Sequence, residues 1–92
     1  MKKTINRKRY DSERCEVLGS KTCYNNGNEA AYLYLLRASD NALLVYQDAR
    51  DTFYSDFLVE FGDEEGSTTI DDFDLSEAQE LRCRNLGLIT IV

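Results

Sequence analysis

The chain has no histidine, no tryptophan and no proline. Without histidine it lacks the commonest general base and the commonest metal ligand. Without proline, every break in secondary structure must come from Gly, Asn, Asp or Ser. No apolar run approaches the roughly 20 residues needed to cross a bilayer. The basic amino terminus has no apolar segment behind it, so it does not read as a secretory signal. Three cysteines, Cys15, Cys23 and Cys83, cannot all pair within the chain, and reduced thiols in a cytoplasmic protein are expected. Their spacing offers no second pair for zinc. A catalytic cysteine would want a basic partner such as histidine. There is no nucleophile motif and no phosphate-binding glycine loop, so neither an enzyme nor a cofactor is expected.

What is present is charge, unevenly placed. The net charge of −6 over 92 residues conceals two blocks. Residues 2–9 hold Lys2, Lys3, Arg7, Lys8 and Arg9 with no acid. From Asp51 to Glu80 the chain carries Asp51, Asp56, Glu60, Asp63, Glu64, Glu65, Asp71, Asp72, Asp74, Glu77 and Glu80, with no Lys or Arg. Such a run reads either as a solvated acidic face or as a row of negative charge that imitates the phosphates of a duplex. Metal binding fits less well, because Asp63-Glu64-Glu65 and Asp71-Asp72-Phe73-Asp74 lack the alternation, central Gly and terminal Glu of a calcium loop.

At this length the chain is one domain, residues 1–92. Its centre is the stretch Tyr32–Gln47, two apolar, aromatic-rich runs around Ser39-Asp40-Asn41. This predicts a β-hairpin with strands near 31–38 and 42–48, closed by a type I turn with Asn41 left-handed. The expected register sets Ala38 against Leu43, Leu36 against Val45 and Leu35 against Tyr46. Residues 4–10 are expected as one strand. A short helix or turn capped by Asp11 or Ser12 should run through Leu18 and stop at Gly19. Tyr24–Asn28 reads as a loop, 56–61 as a strand, and 68–70 as a short extended piece. The clearest helix is 75–86: Ser76 and Gln79 have capping-box spacing, and Leu75, Ala78, Leu81 (or Arg82) and Leu86 supply an apolar stripe. Residues 88–92 are β-branched and predict a final strand. The fold class is α+β: an antiparallel sheet of about four to five strands with one C-terminal helix packed on it.

Three stretches carry a resemblance. Ile5-Asn6-Arg7-Lys8-Arg9-Tyr10-Asp11-Ser12-Glu13, the hairpin Leu35–Tyr46, and Leu75-Ser76-Glu77-Ala78 together resemble a group of small phage and mobile-element proteins of Gram-positive bacteria. Arg7 and Asn41 stand where that pattern has glycine, and Gln47–Arg50 replaces a glycine-rich stretch. The resemblance implies a phage or prophage origin. Some small acidic phage proteins inhibit host defence systems, CRISPR effectors included, by occupying nucleic-acid sites.

The expected function is therefore a non-enzymatic inhibitor of the anti-CRISPR type. Its partner would be a host protein with a basic nucleic-acid-binding cleft, not nucleic acid itself and not a membrane. The contact surface is expected on Asp56, Glu60, Asp63, Glu64, Glu65, Asp71, Asp72 and Asp74, with Phe53, Tyr54 and Phe73 as aromatic anchors. The alternative is a structural or regulatory protein that self-associates through a sheet edge, at 88–92 or 4–10.

Overall fold

In the computed structural model, which describes residues 1–51, 53–63 and 68–92, the core is a four-stranded antiparallel sheet. It comprises β3 (Glu16–Asn25), β4 (Asn28–Arg37), β5 (Leu43–Ala49) and β6 (Phe57–Glu60), in that spatial order. A separate hairpin, β1 (Lys2–Ile5) and β2 (Lys8–Asp11), precedes it, and helix α1 (Glu77–Asn85) follows. The fold is α+β, with one C-terminal helix packed on the sheet.

Both sheet faces are apolar because β4 and β5 are apolar at odd and even positions alike. On one face Leu35, Val45 and Val59 form a row across β4, β5 and β6, joined by Leu18, Leu33, Phe73 and Cys83. This face is covered by α1 and the segments on either side of it, through Ile70, Leu75, Leu86 and Ile89. On the other face Leu36, Leu44 and Leu58 are buried beneath Ile5 and Tyr10 of the β1–β2 hairpin. Each fully buried Leu contributes about 1.5–3 kcal/mol by leaving water. The sheet is thus the middle of three layers.

The central turn forms as expected: Asn41 has φ 72°, the Asn41 N–H donates to Ala38 O (2.9 Å), and the Ala38 N–H donates to Ala42 O (2.9 Å). The register differs by one residue. Arg37 pairs with Leu43, Leu36 with Leu44, Leu35 with Val45 and Tyr34 with Tyr46. A one-residue slip exchanges the faces of every side chain on one strand, and the observed pairing is the one that keeps Leu35 beside Val45. It also stacks Tyr34 on Tyr46, centroids 6.0 Å apart.

Four further expectations are corrected. Residues 4–10 are two strands, turned at Asn6 and Arg7 (φ 50° and 67°). Only Ser12–Arg14 is helical, a single 3-10 turn capped by Asp11, whose carboxylate accepts the Glu13 N–H. Val17 and Leu18 belong to β3, and Gly19 lies inside that strand, beside an irregularity between Val17 and Gly19. Residues 88–92 form no strand; the Leu88 N–H returns to Cys83 O (2.9 Å). Of the piece at 68–70, Thr69 is extended (φ −112°, ψ 170°), but Ile70 already opens a 3-10 turn, Ile70–Asp72. The loop at 24–28 tightens to a hairpin turn at Asn26 and Gly27, with φ 52° and 80°, the pair of left-handed residues that joins strands most directly.

Helix α1 is capped as its spacing predicts. The Gln79 N–H donates to Ser76 Oγ (3.2 Å) and the Ser76 N–H to Gln79 Oε1 (3.0 Å). Its buried stripe is different: Leu81 is 55% exposed, Ala78 is exposed, and Cys83 is fully buried. The helix is fastened to the start of β3 by Arg82, whose Nε and Nη2 reach Glu16 at 2.8 and 3.1 Å. That pairing lowers the Glu16 carboxyl below its ordinary range, the Arg82 hydrogen bond being the main cause.

Candidate functional site

The acidic run follows the chain across the molecule. Asp56 closes the β5–β6 connection by accepting the Ala49 N–H (2.7 Å). Glu60 ends β6 and accepts from the Asn6 side chain. Asp63 lies in the same hollow as Glu60, and Lys3 lines it too. The chain then passes over the α1-covered face. Asp72 caps its own 3-10 turn by accepting the Thr69 N–H (2.6 Å). Asp74 reaches the opposite edge of the sheet, where its N–H donates to Ser20 O (2.7 Å) and its carbonyl accepts the Ser20 N–H (3.3 Å). Since β6 and β3 are the two edges and Asp74 lies outside β3, Glu60 and Asp74 are separated by four strand spacings, about 19 Å.

The carboxylates therefore form a band along the chain path rather than a compact patch. Asp56, Glu60, Asp63, Asp71, Asp72 and Asp74 are all exposed. Asp71 and Glu80 share a groove with Ile89 and Thr90. Glu64 and Glu65 lie outside the described residues.

Ion pairs among the described residues use other acids. Lys8 pairs with Asp40 (3.1 Å), Arg14 with Asp11 (3.9 Å), Arg50 with Asp48 (3.0 Å), and both Arg37 (3.7 Å) and Arg82 (2.8 Å) with Glu16. All four of these acids precede residue 51. Seven carboxylates of the band, Asp51, Asp56, Glu60, Asp71, Asp72, Asp74 and Glu80, thus keep their charge toward solvent with no cation bound to them.

The three aromatic anchors fare differently. Phe53 is 79% exposed and Tyr54 37% exposed, on the β5–β6 connection beside Asp51 and Asp56. Phe73 is only 6% exposed; it packs in the core with Leu18 and Leu33 and offers no surface contact. Its position between Asp72 and Asp74 explains the alternation: the acids face out because the ring between them faces in.

Chemistry at the thiols is unpromising. Cys15, Cys23 and Cys83 are free. Burial pushes the Cys83 and Cys15 thiols up, and the nearby carboxylates of Glu16, and of Asp11 and Asp40, add to the effect. Thiols raised in this way are poor nucleophiles.

One residue that pattern reading passed over is Asp40, taken only as part of a turn. Its carboxylate accepts the Tyr10 hydroxyl (2.8 Å), the Lys8 ammonium (3.1 Å) and the Ala42 N–H (3.1 Å). It fastens the β1–β2 hairpin to the turn between β4 and β5. An Asx turn two residues before Ala42 was legible in the sequence; the long-range partners were not. No family model, curated protein or solved structure matches the chain.

Proposed function

We propose that this protein is a non-enzymatic inhibitor of phage type that occupies the basic nucleic-acid cleft of a host defence protein, a CRISPR effector first among candidates. The observation that carries the reading is that, among the described residues, Asp51, Asp56, Glu60, Asp71, Asp72, Asp74 and Glu80 stand in none of the ion pairs, which use Asp11, Glu16, Asp40 and Asp48. A basic cleft on a partner supplies the missing charge. Phe53 and Tyr54 add what a charged band lacks, exposed rings that bury large area at low entropy cost. Contact would centre on the β6 edge, with Phe53 and Tyr54 flanked by Asp51, Asp56 and Glu60, and extend over Asp71, Asp72 and Asp74.

The test is competition. Target-DNA binding by a purified effector is measured with increasing amounts of the protein, at two salt concentrations. Inhibition should weaken as salt rises, because exposed charges more than about 10 Å apart are screened at 0.1 M. Two variants divide the surface: Phe53→Ala with Asp56→Asn and Glu60→Gln, and Asp71→Asn with Asp74→Asn. The first should lose most of its potency and the second part of it. Equal potency in both variants would remove the acidic surface from the mechanism. Of the two edges nominated for the alternative, self-association, 88–92 forms no strand, whereas 4–10 belongs to the β1–β2 hairpin. Sedimentation at micromolar concentration separates the readings: a strict monomer counts against pairing through that hairpin.

A further inference from the structure

The cations of the amino-terminal layer converge. Along the β2 side of the β1–β2 hairpin, between it, the 3-10 turn Ser12–Arg14 and the Ala38–Asp40 turn, lies a cleft of about 610 Å³, lined by Lys2, Lys8, Arg9 and Arg14. In a chain with six surplus negative charges, four of the eleven cations meet at one opening. Two carboxylates, Asp11 and Asp40, also border it, which leaves a surplus of two positive charges at the opening. Asp40 accepts from Tyr10, Lys8 and Ala42, and Asp11 from the Glu13 N–H. Arg14 is 89% exposed and only loosely paired, at 3.9 Å from Asp11. Among the described residues Lys2 and Arg9 stand in no ion pair, and Arg9 Nη1 donates to Thr4 Oγ1, at 3.3 Å.

We infer that this cleft binds a compact anion carrying two or more phosphate groups, the oligophosphate end of a small molecule. The volume lies within the range of about 300–1,000 Å³ typical of small-ligand sites. Arg9 and Arg14 supply planar donor forks suited to phosphate oxygens, and Lys2 supplies a mobile point charge. Compactness follows from the surroundings. A long polyanion extending beyond the cleft would run onto a molecule whose net charge is −6, and repulsion grows with each phosphate outside. The inference is independent of the acidic band, which lies on other surfaces.

Inorganic pyrophosphate is the probe. Calorimetry and phosphorus NMR on the full chain at low salt should show saturable, one-to-one binding that weakens with added salt. Arg9→Glu and Lys2→Glu should each weaken it by about tenfold or more, because a reversed charge replaces attraction with repulsion. Arg84→Glu, on α1, should leave it unchanged. Lys2 and Arg9 are exposed and stand in no ion pair among the described residues, so circular dichroism should be that of the parent, and Arg9→Gln gives a milder variant with an intermediate loss. No binding at low salt, or equal binding by Arg9→Glu, overturns the site. A short oligothymidylate that binds much more tightly than pyrophosphate overturns the compact-anion assignment.

Discussion

Gly19 offers the sharpest test of how the acidic segment is held. A Cβ added there would lie 2.6 Å from Leu75 Cδ2, 3.2 Å from Phe73 Cβ and 3.6 Å from Asp74 O. The backbone itself permits alanine, since Gly19 is not among the left-handed glycines. Gly19→Ala therefore sets two effects against each other. Relief of unfolded-chain entropy stabilises by about 0.4–1 kcal/mol. Overpacking costs about 1–3 kcal/mol, more if Phe73 cannot move. Leu75 is half-buried and its far methyl can swing aside, but Phe73 is core. The net expectation is a loss of about 1.3 kcal/mol, the middle of the overpacking range less the middle of the entropy gain. For a domain of this size urea sensitivity is about 1 kcal/mol per molar, so the unfolding midpoint should fall by about 1–2 M. A double-mutant cycle identifies the neighbour. In a Leu75→Ala background the Gly19→Ala penalty should shrink, because the nearest atom is gone. An unchanged or raised midpoint in the single variant, or the same penalty in both backgrounds, would refute the claim that residues 73–75 press against β3 at this point.

Two further outcomes follow from the core and from Asp40. Leu58→Ala removes a fully buried side chain beneath the β1–β2 hairpin and should cost about 2–5 kcal/mol in chemical denaturation; a loss below about 1 kcal/mol would mean that the hairpin does not seal that face. The contact between Tyr10 and Asp40 should depend on pH at both extremes. The Asp40 carboxyl is held below its ordinary 3.8, first by the Tyr10 hydroxyl, then by the Ala42 N–H and Lys8. Its contribution is present above that ordinary value and is lost as pH falls through the lower, folded value. The Tyr10 phenol is raised above its ordinary 10.0, chiefly by the hydrogen bond to Asp40. Its contribution is complete below that value and is lost as pH climbs through the higher, folded value. NMR of Tyr10 and Ile5 should follow both transitions, and Asp40→Asn should abolish the acidic one; an unaltered acidic transition in the variant would assign it to another group.

Read alone, the sequence determined whatever a few neighbouring residues decide. The Ser76–Gln79 cap, the left-handed Asn41 and the strand at 57–60 all depend on groups within four positions of each other. The charge division between the two ends of the chain was equally legible, since it is only composition. Tertiary structure decided which face each element turns inward. Leu81 fits a helical stripe as well as Cys83 does, and only contact with Leu18 on β3 selects Cys83. Gly19 looks like a helix stop until Phe73 and Leu75, more than fifty positions later, come to lie against it. Residues 88–92 have the composition of a strand, but the β3 edge at Ser20 is already bonded to Asp74. Local hydrogen bonds are set by spacing along the chain, whereas face, register and available edge are set by partners that the chain brings together only when it closes.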